Sequence, residues 1–294
     1  MESPEKDTAG TDAMDAMDAM DAAEREMLAD ALRATMAAAS GPALDEALAG
    51  LGWPELLAAA PDVAVPLVFG LLGETGAHAS VLNDVVLGAA GRPLGDAPPA
   101  LPYAGGRWIV WDRAPGDTGA DTGTGEGGDL LDGDLPLRTV PDGGPVPLAA
   151  GRRALGWWLV GTGRAMLRLA REHALDRAQF GRPIASFQAV RHRLAETLVA
   201  LDGAEAALAA PHDPADADLA ALLGKAAAGR AALAAARHCQ QVLGGIGFTE
   251  EHELHRHVRR ALVLDGLLGG SRELTREAGR ILRTEGTARR LVEL

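Results

Sequence analysis

Between residues 219 and 243 the chain is built mostly from alanine and leucine with no proline, and this stretch most limits what the polypeptide can become. Alanine loses least on entering a helix, and its short side chain lets neighbouring backbones approach closely. The whole sequence shares the bias. Of its residues 47% are hydrophobic but only 3% are aromatic, so Ala, Leu and Val carry the burial. A chain of this kind favours tightly packed helices. With 294 residues it has ample length for a core, in one large or two smaller domains. The single cysteine, Cys239, excludes an intrachain disulfide and fits a reducing compartment.

The formal charge of −13 is unevenly spread. From Gly151 onward 21 Lys and Arg stand against 16 Asp and Glu, leaving about −18 for the first 150 residues. An acidic front half argues against a nucleic-acid partner, and an arginine-rich back half suits an anionic small ligand. No apolar run approaches the roughly 20 residues that span a bilayer. The N-terminus lacks a basic-then-apolar leader pattern. The expectation is a cytoplasmic protein with no membrane partner.

Taken in order, residues 1–22 carry repeated Asp-Ala-Met and predict a disordered acidic tail. Residues 23–97 predict an N-terminal helical domain: one helix over 23–39, a second over 44–60 interrupted at Trp53-Pro54, and two buried helices over 61–90. Residues 98–147 read as a reduced middle region of strand and loop. Residues 107–112 make one clear strand, with fragments at 136–140 and Val146. The Asp/Gly-rich run 117–128 is a loop whose ligand spacing is wrong for an EF-hand. Residues 148–294 predict a four-helix bundle, with helices over 148–176, 187–210, 219–243 and 272–291. The fold class is therefore mainly α.

Two stretches carry the chemistry. Residues 177–188 (RAQFGRPIASFQ) and 241–248 (QVLGGIGF) each join amide or guanidinium side chains to a glycine-permitted turn, equipment for gripping a phosphate-bearing ligand at a helix end. Other features read as structural. Cys239 is small packing volume, Trp157-Trp158 is core or subunit contact, and the Glu/His run 251–257 is a structural or surface stretch without metal.

Those two stretches, with FQAVRHRLAE at 187–196 and Arg259-Arg260-Ala261, resemble the C-terminal helical domain of the acyl-CoA dehydrogenase family, in order and separation. The resemblance covers about half the chain. It implies FAD as cofactor and an acyl-CoA substrate, in fatty-acid or steroid side-chain β-oxidation. It also implies that Arg177, Gln179, Phe180, Gln188, Gln241, Gly244 and Gly245 touch the pyrophosphate-to-adenosine part of FAD, mainly in a neighbouring subunit. Ser271 and Glu273 are implied near the adenosine end. Arg152 matches a family arginine on the substrate side.

The same resemblance exposes losses. The family's catalytic glutamate position falls on Gly269, and its alternative position, at the start of the first long bundle helix, falls on Gly151. A glycine accepts no proton, and a positioned base typically contributes about 10²–10⁴-fold. About fifty residues stand where the family has a β-domain of roughly a hundred, without its Thr-Glu-Pro and Gly-Ser-Asp segments. The pattern resembles the degenerate member of a heteromeric acyl-CoA dehydrogenase, completing the FAD site of a full-length subunit. Two alternatives stay open. One is a self-sufficient or homodimeric enzyme whose base is Glu250, Glu251, Glu253, Asp265 or Glu273. The other is a structural bundle without flavin.

Overall fold

A computed structural model describes residues 22–113, 132–211 and 213–286. The loop expected over 117–128 lies outside them, as does the tail expected over 1–22 up to residue 21. Residue 22 already opens a helix. Five helices come first: α1 (Ala22–Ala38), α2 (Pro42–Gly50), α3 (Trp53–Ala59), α4 (Pro61–Thr75) and α5 (Val81–Ala89). Pro42, Pro54 and Pro61 sit in first turns, where a missing N–H costs nothing. Gly76, at φ 74°, closes α4 in the left-handed conformation that a side chain resists.

The middle region is a three-stranded antiparallel sheet, β1 (Ala100–Tyr103), β2 (Arg107–Trp111) and β3 (Leu137–Val140), in that order. β2 is the strand the sequence predicts. Its inner face buries Ile109 and Trp111. β3 replaces the expected fragment at 136–140, and Val146 forms no strand. β1 is unanticipated, because Pro102 obscures its pattern. The sheet docks through an aromatic chain: Trp111 meets Trp158 with centroids 5.5 Å apart, Trp158 meets Phe69 at 5.6 Å, and Phe69 meets Trp53 at 6.3 Å. Trp157-Trp158 is thus core at Trp158, with Trp157 half-buried.

The C-terminal part contains α6 (Ala149–Asp176), a short hairpin β4 (Ala178–Gln179) and β5 (Arg182–Pro183), then α7 (Gln188–Ala209), α8 (Ala217–Leu243), α9 (Leu254–Gly266) and α10 (Ser271–Glu285). Three of the four expected bundle helices appear within two residues of their predicted ends. The fourth begins at Ser271 and is described to Glu285, not to residue 291. α9 is an addition. Its segment reads as polar because His255, Arg256 and Arg259 cover one face, yet Leu254, Ala261, Val263 and Leu264 are buried on the other. α8 meets the length and hydropathy of a membrane span, which the sequence reading missed. Its apolar residues pack against α6, α7, α9 and α10, so a core position accounts for that composition.

α6 is the central rod, and glycine sets how closely its neighbours come. A Cβ on Gly161 would lie 2.1 Å from the Gly70 carbonyl oxygen of α4, and one on Gly73 would lie 2.4 Å from the Trp158 oxygen and Thr162 nitrogen. Backbone meets backbone at this crossing. A buried ion pair, Arg260–Asp132, adds a second tie: Arg260 also donates to the Ala77 carbonyl at 3.0 Å, joining α9 to the α4–α5 turn. His257 is buried beside that turn and packs on Gly76. Burial first, then the charges of Arg260 and Arg256, holds its pKa down to about 4. Cys239 is fully buried, and burial pushes its thiol up to about 12.

Gly161→Ala forces the α4–α6 crossing apart and is expected to cost about 2–3 kcal/mol in denaturant unfolding. Gly203→Ala, on α7 with open space at its Cβ position, is expected to be neutral or mildly stabilising. Because the unfolded chain protonates His257 near its ordinary 6.5 and the folded chain only near 4, stability falls as pH drops through that window. Between about pH 7 and pH 5 the loss is about 2 kcal/mol. His257→Leu should remove that component when unfolding is followed at both pH values.

Candidate functional site

The hairpin after α6 is built by its own sequence. Phe180 at φ 52° and Gly181 at φ 76° form a two-residue turn with both central residues left-handed, the geometry that suits a tight hairpin. Ala178 pairs with Pro183 and Gln179 with Arg182. The Ile184 N–H donates to the Arg177 carbonyl at 2.8 Å, closing the loop. Phe180 is 90% exposed and meets Phe187 edge-on at 6.1 Å, while the Arg182 guanidinium covers the Phe187 ring at 4.3 Å. Residues 177–183 are all exposed. No side chain caps α7; the Val190 and Arg191 N–H groups donate to the Phe187 carbonyl, which leaves those of Gln188 and Ala189 for an outside acceptor.

The second motif ends α8. Gly244, at φ 66°, turns the chain, and both Gly244 and Gly245 have open space where a Cβ would stand. Gln241 is exposed. The antiparallel run of α6, α7, α8 and α9 brings the C-terminus of α6, the N-terminus of α7, the C-terminus of α8 and the N-terminus of α9 to one end of the bundle. Charge coupling agrees: His173, in the last turn of α6, is held below its ordinary pKa by burial, then by His252 and Arg177. Arg177, Gln179, Phe180, Gln188, Gln241, Gly244 and Gly245 therefore share one open end, able to take phosphate oxygens on a guanidinium fork and backbone N–H groups.

Ser271 and Glu273 do not join them. They stand at the other end of α9, about 20 Å away for a helix of that length. Their polar atoms are already engaged. Ser271 is buried, with its hydroxyl and N–H directed at Asp265. Glu273 accepts from the N–H groups of Gly270 and Gly105, at 3.0 Å each, and these bonds hold its pKa down. A carboxylate so stabilised is a weak base. Glu250, Glu251 and Glu253 lie at the hairpin end of α9, and Glu250 pairs with Arg259.

Gly151 and Gly269, the two glycines that the resemblance sets at base positions, converge in space. A Cβ on Gly151 would sit 2.7 Å from Leu268 Cδ1 and 3.1 Å from Val86 Cγ2, and Gly269 follows Leu268 in the chain. Apolar side chains fill the place. Leu268 is buried at φ 55° and Gly269 lies at φ 104°, an unusual pair of conformations for a turn carrying a leucine. Three contacts hold it. Arg152 Nε donates to the Leu268 carbonyl at 3.1 Å, the Leu268 N–H donates to Pro102, and Lys225 Nζ donates to Gly269 at 2.7 Å and Asp265 at 2.9 Å. Arg152 thus serves the protein's own backbone. Lys225 escaped the sequence reading because it is one cation in an alanine-rich helix. It is fully buried, which brings its pKa down to about 7.

Comparison with known proteins identifies the C-terminal region. The profile described as "Acyl-CoA dehydrogenase, C-terminal domain" matches residues 146–280. Mycobacterium tuberculosis acyl-CoA dehydrogenase FadE34 is 38% identical over 202 residues, covering 63% of this chain and 28% of that protein. The C-terminal region belongs to the acyl-CoA dehydrogenase family. M. tuberculosis acyl-CoA dehydrogenase IpdE2 is 40% identical over 118 residues, 40% of this chain and 36% of its own. The chain thus matches about a third of the length of these curated acyl-CoA dehydrogenases. At the level of fold the likeness runs further. The structure titled "Tcur3481-Tcur3483 steroid ACAD G363A variant" aligns over 90% of this chain and 98% of its own, with a TM-score of 0.66 and 19% identity. A chain of the M. tuberculosis ChsE4-ChsE5 complex aligns over 88% and 97%, with a TM-score of 0.60 and 20% identity.

Placing a carboxylate at Gly269 should be costly. Gly269→Glu places a Cβ 2.8 Å from Leu274 Cδ2 in a left-handed conformation, and is expected to cost about 2 kcal/mol or more in denaturant unfolding.

Proposed function

We propose that this chain is the non-catalytic half of a heteromeric acyl-CoA dehydrogenase, lending its open end to an FAD held mainly by a full-length partner subunit. One observation carries the reading. The phosphate-gripping groups stand exposed at one end of the bundle, while the two base positions are glycines closed in by apolar side chains, Gly151 by Leu268 and Val86 and Gly269 by Leu274. A chain equipped for its own turnover would need a carboxylate and a cavity where those side chains meet.

In this reading Arg177 forks onto pyrophosphate oxygens, and Gln188 and Gln241 supply amide contacts. Gly244 and Gly245 let backbone N–H groups come close, and the exposed Phe180 ring supplies an apolar contact against the cofactor. Gln179 lies on the same hairpin edge. FAD, when bound, accepts the hydride leaving the β-carbon of an acyl-CoA thioester. The α-proton passes to a carboxylate of the partner, because Gly269 and Gly151 offer none. Ser271 and Glu273, satisfied within the fold, keep the turn around Gly269 closed. The names of two fold relatives, a steroid ACAD and a two-protein complex, favour a bulky or steroid acyl group and a heteromer. A cytoplasmic setting follows from the same reading.

The test is co-expression with a full-length acyl-CoA dehydrogenase encoded nearby. The pair should purify together, yellow with flavin, and oxidise an acyl-CoA, whereas this chain alone should be colourless and inactive. Arg177→Ala should lower flavin occupancy of the pair about tenfold or more. Full turnover by the isolated chain with its own flavin would falsify the proposal, and absence of flavin in both preparations would favour a structural bundle.

A further inference from the structure

On the face of α6 opposite Gly151, a cavity of about 560 Å³ opens between α3, α4 and α5 on one side and the ends of α7 and α8 on the other. Helical spacing puts Ala149, Ala150 and Arg153 on this face, about half a turn from Gly151. The volume is that of a small-molecule site, roughly 300–1,000 Å³. Small side chains keep it open: Ala217, Ala220 and Ala221 of α8 stand where leucines would close the gap. Leu57, Val65 and Leu208 supply apolar wall.

Only two lining residues are ionisable, Asp62 and Arg153, which pair at 3.0 Å. The pair is lopsided. The Asp62 side chain is 79% exposed and that of Arg153 only 27%. An ion pair with so exposed a partner contributes under about 1 kcal/mol and is readily exchanged. Arg153 Nε, meanwhile, is buried with no hydrogen-bond acceptor among the described residues. A carboxylate would satisfy that donor and a second guanidinium nitrogen together.

We infer that this cavity binds an amphipathic carboxylic acid, its apolar body against the alanine and leucine walls and its carboxylate on Arg153. The site is separate from the flavin-facing end of the bundle, and its occupancy does not depend on the heteromer proposal.

The test uses the full chain, alone or with its co-purified partner, titrated with the fluorescent fatty acid cis-parinarate and displaced with dodecanoate. Saturable one-to-one binding is expected. Ala220→Leu, which fills the cavity, should weaken it tenfold or more. Arg153→Met should weaken dodecanoate about ten- to hundredfold while leaving dodecanol unchanged. Ala217→Leu stands in for Ala220→Leu if the latter fails to fold. The inference is overturned by the absence of saturable binding, by binding indifferent to both substitutions, or by displacement with dodecanoyl-CoA but not with dodecanoate. Flavin content is read separately on the same samples, so failure here leaves the heteromer proposal untouched, and the reverse.

Discussion

The crossing of α4 over α6, where Gly73 meets the backbone around Trp158 and Gly161 meets the carbonyl of Gly70, fixes nearly everything else. With no side chain between them at this point, the two backbones are in direct contact, where helix pairs usually stand 8–10 Å apart with side chains between. That proximity brings Phe69 onto Trp158, and Trp158 in turn receives Trp111 from the sheet. With so few aromatic residues in the chain, a loosened crossing would leave no other large side chain to fill the gap. The N-terminal helices, the sheet and most of the bundle therefore share one continuous core, beside a smaller cluster of Leu219, Leu222, Ala226, Leu274 and Ala278 between α8 and α10.

From that core α6 runs to two ends of opposite character. Its C-terminal end delivers an open, arginine-rich hairpin. Its N-terminal end delivers Gly151 to a spot filled by Leu268 and Val86. The turn at Leu268–Gly269 survives in a strained conformation because Arg152 and Lys225 donate to its carbonyls. Cations that face this region are thereby occupied with backbone oxygens. Exposed polar groups thus stand at one end and closely packed apolar side chains at the other.

Much of this was legible in the residues. Leucine and alanine spacing gave α6, α7 and α8 because their buried faces are apolar and uninterrupted. The turns at Gly181 and Gly244 were legible because left-handed turns demand particular residues, although the hairpin that the first one closes was not. α9 was not, since a buried cation, Arg260, breaks the apolar stripe that would have marked it. β1 was hidden by Pro102. The hydrogen bonds of Ser271 and Glu273 to Asp265, Gly270 and Gly105 had no signature in the sequence, because they join segments far apart in the chain or depend on the turn at Gly269. The cavity beside Arg153 had no signature either: in a sequence, an alanine lining a void and an alanine closing a tight contact are the same letter.

Cys239 offers a practical corollary. Its thiol is enclosed by the bundle and almost entirely protonated at neutral pH, so it is a poor nucleophile toward alkylating reagents. The described fold is in effect thiol-free. A cysteine introduced on the Phe180 hairpin or at the mouth beside Asp62 would be the one reactive handle, ready for spin labels, fluorophores or crosslinkers without prior removal of the native residue.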